Sequence, residues 1–300
     1  MPAVASPSAR SSSVARRSAQ ILAVSNQKGG VGKTTTAVNL AASLAAAEHE
    51  VLLVDLDPQG NASSSVGFPR DAVEIGTYDL LMGEASLEDA QRRTELPTLS
   101  VVAASPDLLG AEIELVGVPD RESRLQRALL RGHARERFDF VIFDCPPSLG
   151  LLTLNGLVAA DRVLIPMLAR YFSLEGLGAL TRTIEAVRAA LNPELSIEGI
   201  VFCNFDKRTN LAQQVVAEVH KHFPERVFKT YIPQNIRLSE SPSHGKPALL
   251  YDITSKGAQA YLDLARELLA RGARRTSAKA TIEPAREQPA RDVDRKRTEA

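Results

Sequence analysis

A chain of 300 residues with 44% hydrophobic and 24% charged residues has the make-up of an ordinary globular protein, which excludes collagen-like, coiled-coil and wholly disordered architectures. Its 36 basic and 36 acidic residues cancel, excluding a globally basic nucleic-acid binder, yet the balance shifts along the chain: +3 over residues 1–19, −7 over 20–270 and +4 over 271–300. Cys145 and Cys203 are too few for a disulfide scaffold and too far apart for a structural zinc pair, and no apolar run approaches the roughly 20 residues that span a bilayer, so a cytoplasmic protein is expected.

Residues 1–19 are nearly all Ala, Ser, Pro and Arg, and residues 271–300 mix charge with Pro and Ala. Neither can bury much apolar surface, so both read as disordered tails around one domain at 20–270. Within it, β-rich runs at 21–24, 51–54, 99–103, 140–143, 163–165 and 200–202 alternate with helical patterns at 34–47, 174–191 and 211–222. The runs are apolar without alternation, as in strands covered on both faces. The expected fold is α/β, a mostly parallel central sheet with helices on both faces.

The chemistry begins after the first strand, where Gln27-Lys28-Gly29-Gly30-Val31-Gly32-Lys33-Thr34-Thr35 opens into an alanine-rich helix. Glycines let consecutive N–H groups turn inward, the helix N-terminus adds positive partial charge, Lys33 reaches the terminal phosphates and Thr34 offers a hydroxyl to Mg²⁺. The common pattern has glycine where this chain has Gln27. The second strand ends in Asp55-Leu56-Asp57-Pro58-Gln59-Gly60-Asn61, on the edge where such sheets bind ligands. Asp57 there either orients the attacking water or holds a metal-bound one, or else forms a turn before Pro58. The run 140–143 ends in Asp144, placed as a carboxylate that holds Mg²⁺ beside the γ-phosphate, and Cys145-Pro146-Pro147-Ser148 leaves the strand.

These motifs, with the late Ile232-Pro233-Gln234-Asn235-Ile236-Arg237-Leu238-Ser239-Glu240-Ser241-Pro242-Ser243, resemble the ParA/Soj family of chromosome and plasmid partitioning ATPases over residues 20–270. The loop with its additional Lys28 resembles the wider P-loop group that includes MinD, nitrogenase iron protein and arsenite-pump ATPases. The resemblance implies ATP and Mg²⁺ as cofactors, with Lys28, Gly29, Gly30, Val31, Gly32, Lys33, Thr34 and Thr35 around the phosphates, Thr34, Asp57 and Asp144 at the metal, and Asn204, Pro233 and Asn235 beside the base. Family members often carry a basic residue where this chain has Gln234. Catalysis would rest on Asp57, Lys28 and Lys33, with Lys28 reaching across an ATP-dependent homodimer to the other subunit's phosphates.

The resemblance also implies hydrolysis stimulated by a ParB-like protein and sequence-independent binding of double-stranded DNA on the nucleoid. Lys207, Arg208, Arg226, Lys229, Arg237 and Lys246 are the candidate phosphate contacts. Two alternatives stand beside this reading: a positioning ATPase that distributes a protein cargo or the division apparatus, and a metabolic P-loop enzyme such as an amidoligase or kinase. His220 and His222, two apart on a helical pattern, read as surface residues, and Cys145 and Cys203 as small buried ones. The C-terminal tail has almost no bulky apolar residues beyond Ile282 and Val293, so no membrane partner is expected.

Overall fold

The structure, a computed structural model, describes residues 18–171 and 173–282. The expected N-terminal tail, except Ser18 and Ala19, and residues 283–300 lie outside the described residues. Seven strands form one sheet: β1 (Gln20–Val24), β2 (Val51–Asp55), β3 (Gln91–Arg93), β4 (Leu99–Val102), β5 (Phe140–Asp144), β6 (Arg162–Leu168) and β7 (Ser196–Cys203). The order is β3-β4-β2-β5-β1-β6-β7, antiparallel only at the β3–β4 edge. The framing helices are α1 (Lys33–Ala46), α2 (Leu108–Glu114), α3 (Leu151–Ala159), α4 (Ser173–Ala190), α5 (Asn210–His222), α6 (Ile236–Glu240) and α7 (Lys256–Ile282).

Unbroken apolar strands have the consequence expected of them. In β1, Ile21 and Ala23 join a core shared with α3, α4 and α5, whereas Leu22 and Val24 join a second core with α1 and α7. β5 repeats this, with Val141 and Phe143 on one side and Phe140 and Ile142 on the other. Each such Ile, Leu, Val or Phe side chain contributes about 1.5–3 kcal/mol on burial, so the central strands are held from both faces.

Register then sets the site. Val24 at the end of β1 pairs with Asp144, and Asp144 pairs with Asp55 at the end of β2. Three strands therefore release their loops at one edge, the C-terminal edge where parallel sheets open a crevice.

The strands at 163–165 and 200–202 are longer in the fold than their apolar runs, and β3 is a short, wholly polar edge strand that the apolar pattern does not announce. The last helix also continues past residue 270, where the charged composition places the start of a tail, and reaches Ile282. Two arginines tie it down: Arg271 donates to Val227 O (2.7 Å) and pairs with Glu267 (2.8 Å), while Arg275 pairs at 2.8 Å with Glu198 of β7. Glu198 is almost completely buried, so its carboxylate depends on Arg275, Arg162 and Gln20 for partners.

Candidate nucleotide site

The loop between β1 and α1 is pinned before it turns. Ser25 N–H donates to Leu164 O (3.1 Å), Asn26 Nδ2 donates to Pro166 O (2.7 Å), and Asn26 Oδ1 accepts the Lys28 N–H (3.1 Å). Gly30 and Gly32 then adopt φ of 68° and 91°, a region costly for any residue with a Cβ. A Cβ on Gly29 or Gly30 would meet nothing within 4 Å, so open space lies over the loop, whereas one on Gly32 would press on Cys203 at 3.3 Å. No side chain caps the α1 N-terminus and no acid lies in its first turn. Its unpaired amides face that space with the positive end of the helix dipole, the elementary form of an anion cradle.

Lys33 is 7% exposed and its ammonium donates to Lys28 O at 3.2 Å. Burial lowers its pKa, opposed by the nearby Asp144 and Asp57 carboxylates. Lys28 is half-buried and makes no ion pair among the described residues. The loop therefore carries one lysine folded onto its own backbone and one without a charged partner.

The strand-end acids divide their roles. Asp55 is fully buried and satisfied: it accepts the Asp57 N–H (3.1 Å), the Ser63 N–H (2.8 Å) and the Ser63 hydroxyl (2.7 Å). Burial pushes its pKa up to about 6 against those donors, and it serves as the anchor of the following turn. Asp57 accepts the Gln59 N–H on Oδ1 (3.0 Å), so it does form the turn before Pro58 while also lying near Lys33 and Asp144.

Asp144 is the exception. It is fully buried, and neither carboxylate oxygen has a hydrogen-bond partner among the described residues. Burial first, and then the neighbouring Asp55, raise its pKa well above the carboxylate range. The Thr34 hydroxyl lies against it and favours its charged form, without completing a bond of full hydrogen-bond geometry. A buried acid with no partner is expensive, and its cost is relieved by a cation in the adjoining cleft. Among the described residues no three His, Cys, Asp or Glu side chains form a metal cage. That suits Mg²⁺, which uses one or two protein oxygens and takes its remaining ligands from phosphate and water. Asp144 and the Thr34 hydroxyl fit it.

Beside the loop is a cavity of about 270 Å³ in which Asn204, Pro233 and Asn235 meet Gly30, Val31, Gly32 and Thr35. The strand end and the late loop are clipped together by Phe205 N–H donating to Ile232 O (2.9 Å) and by Phe205 stacking on Tyr231 at 4.6 Å. Asn204 is held at φ 50°, and Asn235 Oδ1 caps α6 through the Arg237 N–H (3.0 Å). Cys203, Leu238 and Tyr261 also line the cavity. Leu238 belongs to the late motif, whereas Cys203 and Tyr261 are marked by none; Tyr261, on α7, arrives through tertiary packing and its hydroxyl lies 3.1 Å from that of Thr36. A larger cavity of about 600 Å³, lined by Leu81, Glu84, Arg124 and Arg131 among others, contains no residue of the loop or of the strand-end acids.

The six candidate DNA contacts do not share one compact face of the subunit. Arg226 donates to Ile197 O at the start of β7, whereas Lys207 and Arg208 follow its other end, a separation on the order of 20 Å at the usual rise per strand residue. Arg208 pairs with Asp206 (2.8 Å), Arg237 with Glu240 (2.8 Å) and Asp252 (3.3 Å), and Lys246 with Glu95 (3.1 Å). Lys207, Arg226 and Lys229 have no ion pair among the described residues.

The chain matches the AAA domain family AAA_31 over residues 19–197. It is 56% identical to the chromosome partitioning protein ParA of Myxococcus xanthus over 252 residues, covering 84% of this chain and 88% of that protein. With the sporulation initiation inhibitor protein Soj of Bacillus subtilis it shares 52% identity, covering 84% of this chain and 99% of that one. Among solved structures, cobyrinic acid a,c-diamide synthase from Mycobacterium smegmatis, with bound ADP and magnesium, superposes with a TM-score of 0.73 at 37% identity, covering 84% of this chain and 94% of that one. The Pyrococcus furiosus cell division ATPase MinD gives 0.69 at 26% identity, covering 84% and 98%. The phosphate loop, the strand-end acids and the extent of identity along the chain together place this protein in the ParA/Soj family of chromosome-partitioning ATPases.

Proposed function

We propose that this protein is a nucleotide-switched partitioning ATPase: ATP brings two subunits together, the pair holds DNA without regard to sequence, and a ParB-like partner accelerates hydrolysis and release. The observation that carries the reading is the sealed, partnerless Asp144 carboxylate beneath an open glycine loop. That arrangement is unfavourable alone and becomes favourable once a cation and a triphosphate arrive.

Bound Mg²⁺ neutralises phosphate charge and fixes the triphosphate; the Thr34 hydroxyl and Asp144 would hold it. The α1 amides and the loop N–H groups from Gly29 to Thr35 bind the phosphate oxygens. Lys33 exchanges Lys28 O for the terminal phosphates. Asp57, fixed by its own turn, orients the attacking water with its remaining oxygen. Asn204, Pro233 and Asn235 border the base cavity.

Lys28, without a charged partner, is available to a second subunit's phosphates, so that nucleotide state sets assembly state. The folded unit at 20–270 acts with its C-terminal helix as one ATPase domain, working in the cytoplasm on the nucleoid. Because the basic candidates lie apart on one subunit and half of them are ion-paired, DNA retention would draw on both copies of the dimer. No helix among the described residues is long and apolar enough to cross a membrane.

The deciding experiment is retention on nonspecific duplex DNA with ATP, with ADP and without nucleotide. Retention with ATP alone, lost steeply as salt rises, supports the reading; equal retention in all three states refutes it.

A further inference from the structure

The cavity of about 600 Å³ lies between the helix Thr77–Met82, with the turn that follows it, and the helix Arg124–Arg131. Its floor is apolar: Leu80, Leu81 and Leu87 belong to the core and are at most 2% exposed. Its volume is in the range of sites that take a molecule of mononucleotide size.

The rim is cationic. Arg124, Arg127, Arg131 and Arg137 line the cavity against Glu84 and Glu88. Arg127 is answered by Asp120 at 2.6 Å, which leaves three arginines with no ion pair among the described residues. Two of these three are held by neutral oxygens. Arg124 donates from Nε to Leu81 O (2.8 Å) and from Nη2 to Met82 O, carbonyls that the end of that helix leaves open. Arg137 donates from Nη1 to Gly132 O (3.2 Å) and from Nη2 to Gln91 Oε1 (2.8 Å), with its guanidinium 5.4 Å from the centroid of the Phe138 ring.

These contacts fix each guanidinium plane, leave N–H donors to spare and supply no full counter-charge. Arginines already ordered in this way lose little freedom when they take a phosphate or carboxylate. The walls are tied as well: the Thr77 hydroxyl donates to Asp55 O (2.8 Å), and the Leu125 N–H donates to Asn155 Oδ1 (3.1 Å) on α3. The cavity is thus part of the folded frame rather than a gap between loose segments.

Floor and rim together select the occupant. An inorganic ion leaves the leucines unused, and a neutral apolar molecule leaves the guanidiniums without counter-charge. Glu84 and Glu88 on the same rim repel a polyanion such as nucleic acid. We infer that this cavity is a second ligand site, which binds a small organic anion: an apolar or aromatic body over the leucines, with one phosphate or carboxylate held by Arg124, Arg131 and Arg137. The site stands apart from the proposed ATPase cycle.

The test is calorimetric titration of the full chain with 1-naphthyl phosphate, its nucleotide site kept filled by Mg²⁺ and a non-hydrolysable ATP analogue. A parallel titration of Lys33→Ala removes the ammonium of the phosphate loop, so that the result stands whether or not the analogue binds. One probe molecule should bind per chain in both. Inorganic phosphate and 1-naphthol, each offering half of the contacts, should bind at least ten-fold more weakly. Arg131→Gln, a change at an exposed residue, should weaken the probe about ten-fold, the size of one lost charge-assisted contact. Ala128→Trp should block the cavity without altering its charge. Probe binding that vanishes in both Lys33→Ala and the analogue-filled protein assigns the anion to the phosphate loop and overturns the site. Undiminished binding in both Arg131→Gln and Ala128→Trp, or inorganic phosphate binding as tightly as 1-naphthyl phosphate, overturns it too. Tighter binding of 1-naphthyl phosphate than of 1-naphthoate supports a phosphorylated ligand at the site, and the reverse order a carboxylate one.

Discussion

Replacing Asp144 by Asn should make the nucleotide-free protein more stable while removing its response to Mg-ATP. Asn keeps the shape and deletes a charge that is sealed from water, lacks a hydrogen-bond partner and sits beside Asp55. The gain is about 2 kcal/mol, from the desolvation cost of an unpaired buried group, which for a domain of this size is roughly 4–8 °C in melting temperature. The sign carries a pH signature. The folded-state pKa of Asp144 lies well above its unfolded value, so its contribution to stability is complete below the unfolded pKa and lost as pH rises through the raised one. Asp55, raised to about 6, behaves in the same direction. Apo wild type should therefore gain stability as pH falls from 8 towards 6, and Asp144→Asn should gain less. Thermal melts across that range, with and without Mg-ATP, read both effects. A variant less stable than wild type without ligand, or one that keeps the wild-type shift with Mg-ATP, would refute the reasoning.

Other outcomes follow from the same geometry. Lys33→Ala should abolish nucleotide binding in calorimetry, because it removes the buried ammonium beside the loop, whereas Lys28→Ala should still bind ATP but stay monomeric by light scattering; a normal ATP dimer would end the cross-subunit role of Lys28. Asp57→Ala should lower turnover far more than ATP affinity and accumulate the ATP-bound state, and unchanged partner-stimulated turnover would leave Asp57 with only its turn. Arg208→Glu together with Arg237→Glu should weaken DNA retention and flatten its dependence on salt, each lost phosphate contact removing close to one unit of slope. Retention equal to wild type across a salt titration would move the DNA contacts to other cations, Lys207, Arg226 and Lys229 first.

Much of this site is local in the chain and so legible in its sequence. A glycine loop between an apolar strand and an alanine-rich helix can only present its amides at the strand's end, and unalternating apolar runs require a sheet covered on both faces; β1, β5 and α1 follow accordingly. Asp55, Asp57 and Asp144 are visible as strand-end acids, but their separate duties depend on which donors the fold brings to each. Ser63, eight residues on, satisfies Asp55, while Asp144 has the Thr34 hydroxyl against it but no completed hydrogen bond among the described residues, so the same carboxyl chemistry yields an anchor in one case and an unsatisfied acid in the other. Tyr261 enters the cavity only because α7 packs on α1, and α7 outlasts its charged composition because Glu198, buried in β7, needs Arg275. The scatter of the basic candidates is likewise a matter of tertiary structure: residues close in sequence, Lys207 and Arg226 among them, are carried to opposite ends of one strand. Backbone pattern and loop chemistry are written within a few residues of each other and survive reading in one dimension. Burial, pairing and charge proximity are properties of contacts, and contacts exist only once the sheet has brought its strands together.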